Sequence, residues 1–161
     1  MSFGIDVNIL LYASDTSQPQ HAKAVAFIAQ CAGDSEVFCL AWVTLMSYVR
    51  MATHPSIFTR PLSHKEAAAN VAALVALPQV RVIAEESGFW SVYSAVTADV
   101  PTRGNLVPDA HLAALLRQHG VRTLYTHDRD FRKFTFLSPM MARAPKATTL
   151  PRYLVPVRFN E

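Results

Sequence analysis

The chain has 161 residues, of which 51% are apolar and 17% charged, and a net charge of +3. That size and balance point to one ordered globular domain with its own core and argue against a disordered or fibrous chain. No apolar run approaches the roughly 20 residues of a membrane span. The opening "MSFGIDVNIL" has neither a basic leader region nor a cleavage site, so a cytoplasmic protein is expected.

"SFGI" reads as a short buried strand ending at Asp6, and "VNILLYAS" as the helix after it. "HAKAVAFIAQCA" is a second helix, with Ala22, Val25, Ala26 and Ala29 at helical spacing. "EVFCLAW" is strand-like. "WVTLMSYVRMAT" follows as a helix, with Trp42, Leu45, Met46 and Val49 on one face and His54-Pro55 as its stop. Cys31 and Cys39 have no metal or redox spacing and are expected as buried thiols.

In "SHKEAAANVAALVAL" a helix is expected from a capping box of Ser63 and Glu66, with Pro78 beyond its end. "VRVIA" is a strand and "ESGFWSVYSAVTA" a helix. "DVPTRGNLVP" is a polar loop. "PDAHLAALLRQHG" is a helix with Pro108 at its first position and Gly120 past its end, and "VRTLYT" is the strand it leads to. After Asp130 the chain reads as irregular, and "YLVPVRF" as an edge strand or a docking tail. Strands alternating with helices imply a parallel sheet covered by helices on both faces.

In such sheets, sites form at the carboxyl ends of the strands. Asp6 ends the first strand, and Asp128 follows "VRTLYT". Asp109 opens the helix that runs back to that strand, so it starts at the same edge, and Asp130 lies two residues beyond Asp128. Asp109 shares a helical stripe with Leu112, Ala113 and Leu116, which points it inward. Each acid alone has a plainer role: a helix cap for Asp6, a dipole partner for Asp109, a turn residue for Asp128. Together, carboxylates at short range repel one another unless a cation sits among them. Oxygen ligands of this kind suit Mg²⁺ or Mn²⁺, and such a site suits phosphate chemistry. His111 and His127 lie near the acids in sequence but are expected to be structural or substrate-facing.

The basic residues fall in groups: Arg129, Arg132 and Lys133, then Arg143 and Lys146, then Arg152 and Arg158. A solvated surface accounts for them; a nucleic-acid backbone would also be held by them.

"GIDVNILLYA", "WVTLMSYVRMATHP", "GNLVPDAHLAALLRQHG" and "LYTHDRDFRKF", in this order and spacing, resemble the PIN-domain ribonucleases, and among them the VapC toxins of bacterial toxin–antitoxin pairs. The resemblance spans about residues 3 to 137. It implies an α/β/α PIN sandwich over residues 1–140, with residues 141–161 as an extension packing on the domain, a second subunit or an antitoxin. It implies a Mg²⁺- or Mn²⁺-dependent endoribonuclease that cleaves RNA phosphodiester bonds by a metal-activated water, is held by a small antitoxin and forms a homodimer. Carried across, Asp6, Asp109 and Asp128 are the metal-binding acids. Asp130 is the further acid, direct or through water, and Asn8 braces Asp6. Asn105 precedes Asp109 in its loop. The chain departs from the pattern at Ser47, where many PIN nucleases carry a glutamate three residues before the arginine, here Arg50. Ser47 and Arg50 are candidate supports or substrate contacts, and the missing acid leaves one or two metal ions open. Asp6→Ala and Asp109→Ala are expected to abolish cleavage and leave the fold intact.

Two other readings stand beside this one. A Mg²⁺-dependent phosphatase of the haloacid-dehalogenase type would want a second Asp at the position of Asn8, and a receiver domain an acidic pair near its first strand. A non-catalytic binding module on the same scaffold is motivated by Ser47.

Overall fold

A computed structural model describes residues 2–142; the expected strand or tail in "YLVPVRF", and nearly all of the extension over residues 141–161, lie outside the described residues. Among the described residues, five strands form one parallel sheet in the order β3-β2-β1-β4-β5. They are β1 (Phe3–Ile5), β2 (Phe38–Ala41), β3 (Val80–Ile83), β4 (Thr123–Tyr125) and β5 (Ser138–Met140). The helices are α1 (Val7–Ser14), α2 (His21–Gly33), α3 (Trp42–Ala52), α4 (His64–Val75), α5 (Phe89–Thr97) and α6 (Leu106–Gln118).

The strands sort their side chains by alternation. Phe3, Ile5, Phe38 and Leu40 enter a core shared with α1 to α4. Cys39, Ala41 and Leu124 enter a second core with α6, where Val96 of α5 is also buried. Each face of the sheet is thus closed by its own helical layer. Gly4 lies between Phe3 and Ile5, and a Cβ there would stand 2.8 Å from Leu116 Cδ2. Its missing side chain lets α6 press close to β1, and α6 is the helix that carries Asp109.

The chain passes from β1 outward to β2 and β3, then returns to β4 on the other side of β1. The strand order reverses between β1 and β4, which is where open α/β sheets leave a crevice for ligands. Ile5 is in register with Tyr125, and Asp6 N–H donates to the Tyr125 carbonyl at 3.0 Å. Asp6 and Thr126 therefore leave the sheet side by side.

The capping box is present: Ser63 N–H donates to Glu66 Oε2 at 2.7 Å, and Glu66 N–H to Ser63 Oγ at 3.2 Å. Gly120, in the left-handed region at φ 69°, ends α6. That helix starts at Leu106, so Pro108 is its third residue. Its missing N–H costs nothing there, because the first N–H groups of a helix lack intrahelical partners anyway.

Two helix faces differ from the sequence expectation. On α2 the buried stripe is Ala24, Phe27, Ile28 and Cys31, while Ala22 is exposed. Two apolar stripes overlap on this helix, and the one with Phe27 and Ile28 buries more area. On α3 Leu45 is buried as expected, but Trp42 and Met46 are 47% and 60% exposed. Thr44, Tyr48 and Ala52 take the inner face instead. The Tyr48 hydroxyl finds its partners inside: Asn70 Nδ2 donates to it at 2.8 Å, and it bonds with Ser14 Oγ at 2.7 Å.

Between Arg129 and Met140 the chain forms regular elements where the sequence reads as irregular. Residues Arg129–Lys133 form a 3-10 helix, and β5 follows. Buried Phe131 and Phe134, with ring centroids 6.2 Å apart, anchor it. β5 escapes a side-chain pattern because it is an edge strand holding Pro139, paired through its backbone.

Candidate metal centre

Asp6 is buried at the N-cap of α1, and every oxygen of its carboxylate is engaged. Val7 N–H donates to Oδ1 at 2.7 Å. Asn8 Nδ2 donates to Oδ2 at 2.8 Å, and Thr126 Oγ1 donates to the same atom at 2.7 Å. Thr126 is itself buried and acts as a hub: its Oγ1 also accepts from Asn8 Nδ2 at 3.0 Å and from Asp128 N–H at 2.9 Å. Asn8 closes the ring by accepting the His127 N–H on Oδ1 at 3.2 Å. The ends of β1 and β4 are thereby tied together, and the backbone that carries Asp128 is aimed.

Asp128 caps the 3-10 helix, accepting the Asp130 N–H at 2.8 Å. Its turn role and its place in the acidic group are the same fact, since the cap turns Asp130 back toward Asp128. From α6, Asp109 completes the group. One ligand oxygen from each of Asp109, Asp128 and Asp130 can be chosen such that all lie within 4.8 Å of one another. Asp6 is not a member of that group of three; it stands behind it, within electrostatic reach of Asp109 and Asp128.

The electrostatics mark the site. Asp109 is pushed up to about 6, first by burial and then by the charges of Asp128, Asp6 and Asp130, with Lys133 opposing. Asp6 is raised as well, mainly by burial, with Asp128 adding to it, while its bonds from Thr126 and Val7 pull the other way. A negative cluster of hard oxygen donors, with no sulfur and no imidazole in the group, fits a divalent cation of the Mg²⁺ or Mn²⁺ type.

The remaining expected residues fall around this centre. Leu112, Ala113 and Leu116 are buried on the stripe that Asp109 shares. Asn105 is exposed at the N-cap of α6 and makes no capping bond with its side chain. His111 is not in the acidic group: its Nε2 meets Glu85 Oε1 at 2.5 Å, and its ring lies against Phe89. The His127 ring stands edge-on to Tyr12, with centroids 5.2 Å apart. Ser47 is half-buried and Arg50 exposed on α3, and among the described residues neither side chain forms a hydrogen bond or ion pair with the acids. Thr126 is the residue beside the acids that the sequence does not single out, and Lys133, read from the sequence only as one of a basic group, meets Asp130. The signal for Thr126 was a hydroxyl at the end of a buried strand, directly before the acidic turn.

The PIN domain family model matches residues 5–137. The chain is 42% identical to "Ribonuclease VapC48" of Mycobacterium tuberculosis over 134 residues, which is 83% of this chain and 92% of that protein. It is 32% identical to "Ribonuclease VapC37" of the same organism over 130 residues, 81% of this chain and 90% of the relative. Among solved structures, Mycobacterium tuberculosis VapC20, a sarcin-ricin loop cleaving toxin, shares the fold with a TM-score of 0.60 at 18% identity, covering 81% of this chain and 92% of its own. VapBC2 from Rickettsia felis, bound to a fragment of promoter DNA, does so with a TM-score of 0.61 at 13% identity, covering 88% and 98%.

Proposed function

We propose, from the premise that the chain belongs to the PIN-domain family and within it to the VapC ribonucleases, that it is a toxin acting as a divalent-metal-dependent endoribonuclease. The observation that carries this reading is the meeting of Asp109, Asp128 and Asp130 at the switch point, with oxygens within 4.8 Å. Those three acids, backed by Asp6, would hold Mg²⁺ or Mn²⁺. Such an ion supplies an activated water and neutralises charge on the phosphoryl oxygens.

The chain's own residues do the rest. Thr126 and Asn8 hold Asp6 and the Asp128 backbone in place, so the cluster is preorganised before RNA arrives. Exposed Arg129 and Arg132 on the 3-10 helix stand beside the acids and suit the RNA backbone. Asn8 takes the place where a haloacid-dehalogenase-type phosphatase needs its second Asp, and its amide is spent on Asp6 and Thr126. The VapBC assemblies among the fold's neighbours support a small antitoxin as partner. A homodimer and a cytoplasmic site of action complete the reading, and among the described residues no helix is long and apolar enough to cross a membrane.

Purified antitoxin-free protein, incubated with cellular RNA and Mn²⁺ or Mg²⁺, should yield discrete cuts that EDTA and Asp109→Asn both abolish. Cleavage that persists in EDTA would overturn the metal role. No cleavage of any RNA class by folded, metal-loaded protein would favour the binding-module reading that Ser47 motivates.

A further inference from the structure

The acidic centre already contains one cation of its own. Lys133 closes the 3-10 helix, and its Nζ lies 2.7 Å from Asp130 Oδ1. The pair spans one turn, and both side chains are about half exposed, so nothing steric forces the ammonium inward. Arg129 and Arg132 on the same short helix are exposed and, among the described residues, form no ion pair. Lys133 is thus singled out from its two basic neighbours by where its charge goes. Asp6, Asp109, Asp128 and Asp130 place up to four negative charges against this one ammonium. Its field is also felt at Asp109, where it opposes the other acids.

We propose that Lys133 is the placeholder cation of this site: it occupies Asp130 in the metal-free protein, and a divalent ion displaces it. The inference rests on the metal-dependent reading above. The physical reason is competition for one carboxylate. With an ammonium 2.7 Å from its Oδ1, Asp130 offers a divalent ion less unshared negative charge than a free carboxylate does. An ion seated among the acids also repels the ammonium. Two consequences follow for the protein. Without metal, the cluster is partly neutralised and the 3-10 helix keeps its shape. With metal, an unpaired ammonium is released at the rim of the site, where a phosphodiester would lie. Lys133 is a positioning residue in this scheme, acting through Asp130.

Mn²⁺ binding to the full chain, followed by isothermal titration at neutral pH and fixed ionic strength, tests this. Lys133→Met keeps the aliphatic length and removes the competitor, so Mn²⁺ should bind about fivefold more tightly than to wild type. Lys133→Arg restores a competing charge and should return the affinity to within about twofold of wild type. Lys133→Gln repeats the neutral test should the methionine variant fail to fold. A wild type that binds Mn²⁺ while the neutral variants bind it equally or more weakly overturns the placeholder role and leaves the metal site standing. A wild type that binds no Mn²⁺ removes both.

Discussion

Thr126 Oγ1 donates to Asp6 Oδ2 at 2.7 Å across 120 residues of sequence, joining the ends of β1 and β4. The same oxygen accepts from Asn8 and from the Asp128 backbone. Thr126→Val is nearly isosteric and removes all three bonds from a buried atom. It should cost about 1–3 kcal/mol in urea unfolding and weaken Mn²⁺ binding, because Asp128 loses its aim. Thr126→Ser should recover most of both. Wild-type affinity for Mn²⁺ in the valine variant would show that the hub is structural only.

Asp6→Ala is a different experiment in this structure from the one its place among the acids suggests. Relief of repulsion favours the variant, as the sequence implied. Against that, α1 loses its N-cap, and the groups of Thr126, Asn8 and Val7 that donate to Asp6 lose their acceptor. The lost cap and bonds outweigh the repulsion, so Asp6→Ala should be destabilised by about 1–3 kcal/mol. Asp6→Asn retains an acceptor oxygen and should lie between. Calorimetry in EDTA decides it: an alanine variant that melts above wild type would reverse this balance.

Asp109 gives the protein a pH dependence with a definite sign. Its folded value of about 6 lies above the ordinary 3.8, so the native state holds this proton more tightly than the unfolded chain. Metal-free protein should therefore lose stability as pH rises from 3.8 to about 6, and keep that loss above it. Asp109→Asn removes the penalty. Above that window the variant should be more stable than wild type in EDTA by about 1 kcal/mol, allowing for the half-exposed site. Below it the advantage should vanish. Saturating Mn²⁺ should invert the order, since the ion stabilises only the protein that binds it well. A stability difference that does not change with pH would contradict the assignment.

Gly4 tests how the fold sets the site. A Cβ there meets Leu116 Cδ2 at 2.8 Å, and Leu116 is buried at 1% exposure with little room to retreat. Gly4→Ala should cost about 1–3 kcal/mol through overpacking. Pairing it with Leu116→Val should return part of that loss, visible as a favourable coupling in a double-mutant cycle. Simple additivity would mean that the two positions do not press on each other.

Much of this architecture was legible before any coordinates. β1 and α1 were readable because a buried strand and a helix cap meet at Asp6, and both signals are local. α4 announced itself through Ser63 and Glu66 three residues apart. The edge location of Asp109 and Asp128 followed from strand–helix alternation alone. The faces of α2 and α3 were not legible, because Trp42 and Met46 fit an apolar stripe as well as Tyr48 does. Only the presence of Ser14 and Asn70 opposite Tyr48 decides which stripe turns inward.

By itself, then, the sequence determined an alternating parallel α/β domain, its family likeness and the acids at one sheet edge. Periodicity, caps and strand ends are properties of neighbours along the chain, and a single sequence displays them. The tertiary structure decided which oxygens come within 4.8 Å, that Thr126 binds Asp6 to Asp128, and that burial and neighbouring charges push both Asp109 and Asp6 above the ordinary carboxylate value. It also decided that Lys133, alone among its basic neighbours, reaches the cluster. Those facts depend on distances between residues more than a hundred positions apart, on burial and on the direction of a flexible side chain, and a one-dimensional pattern carries none of them.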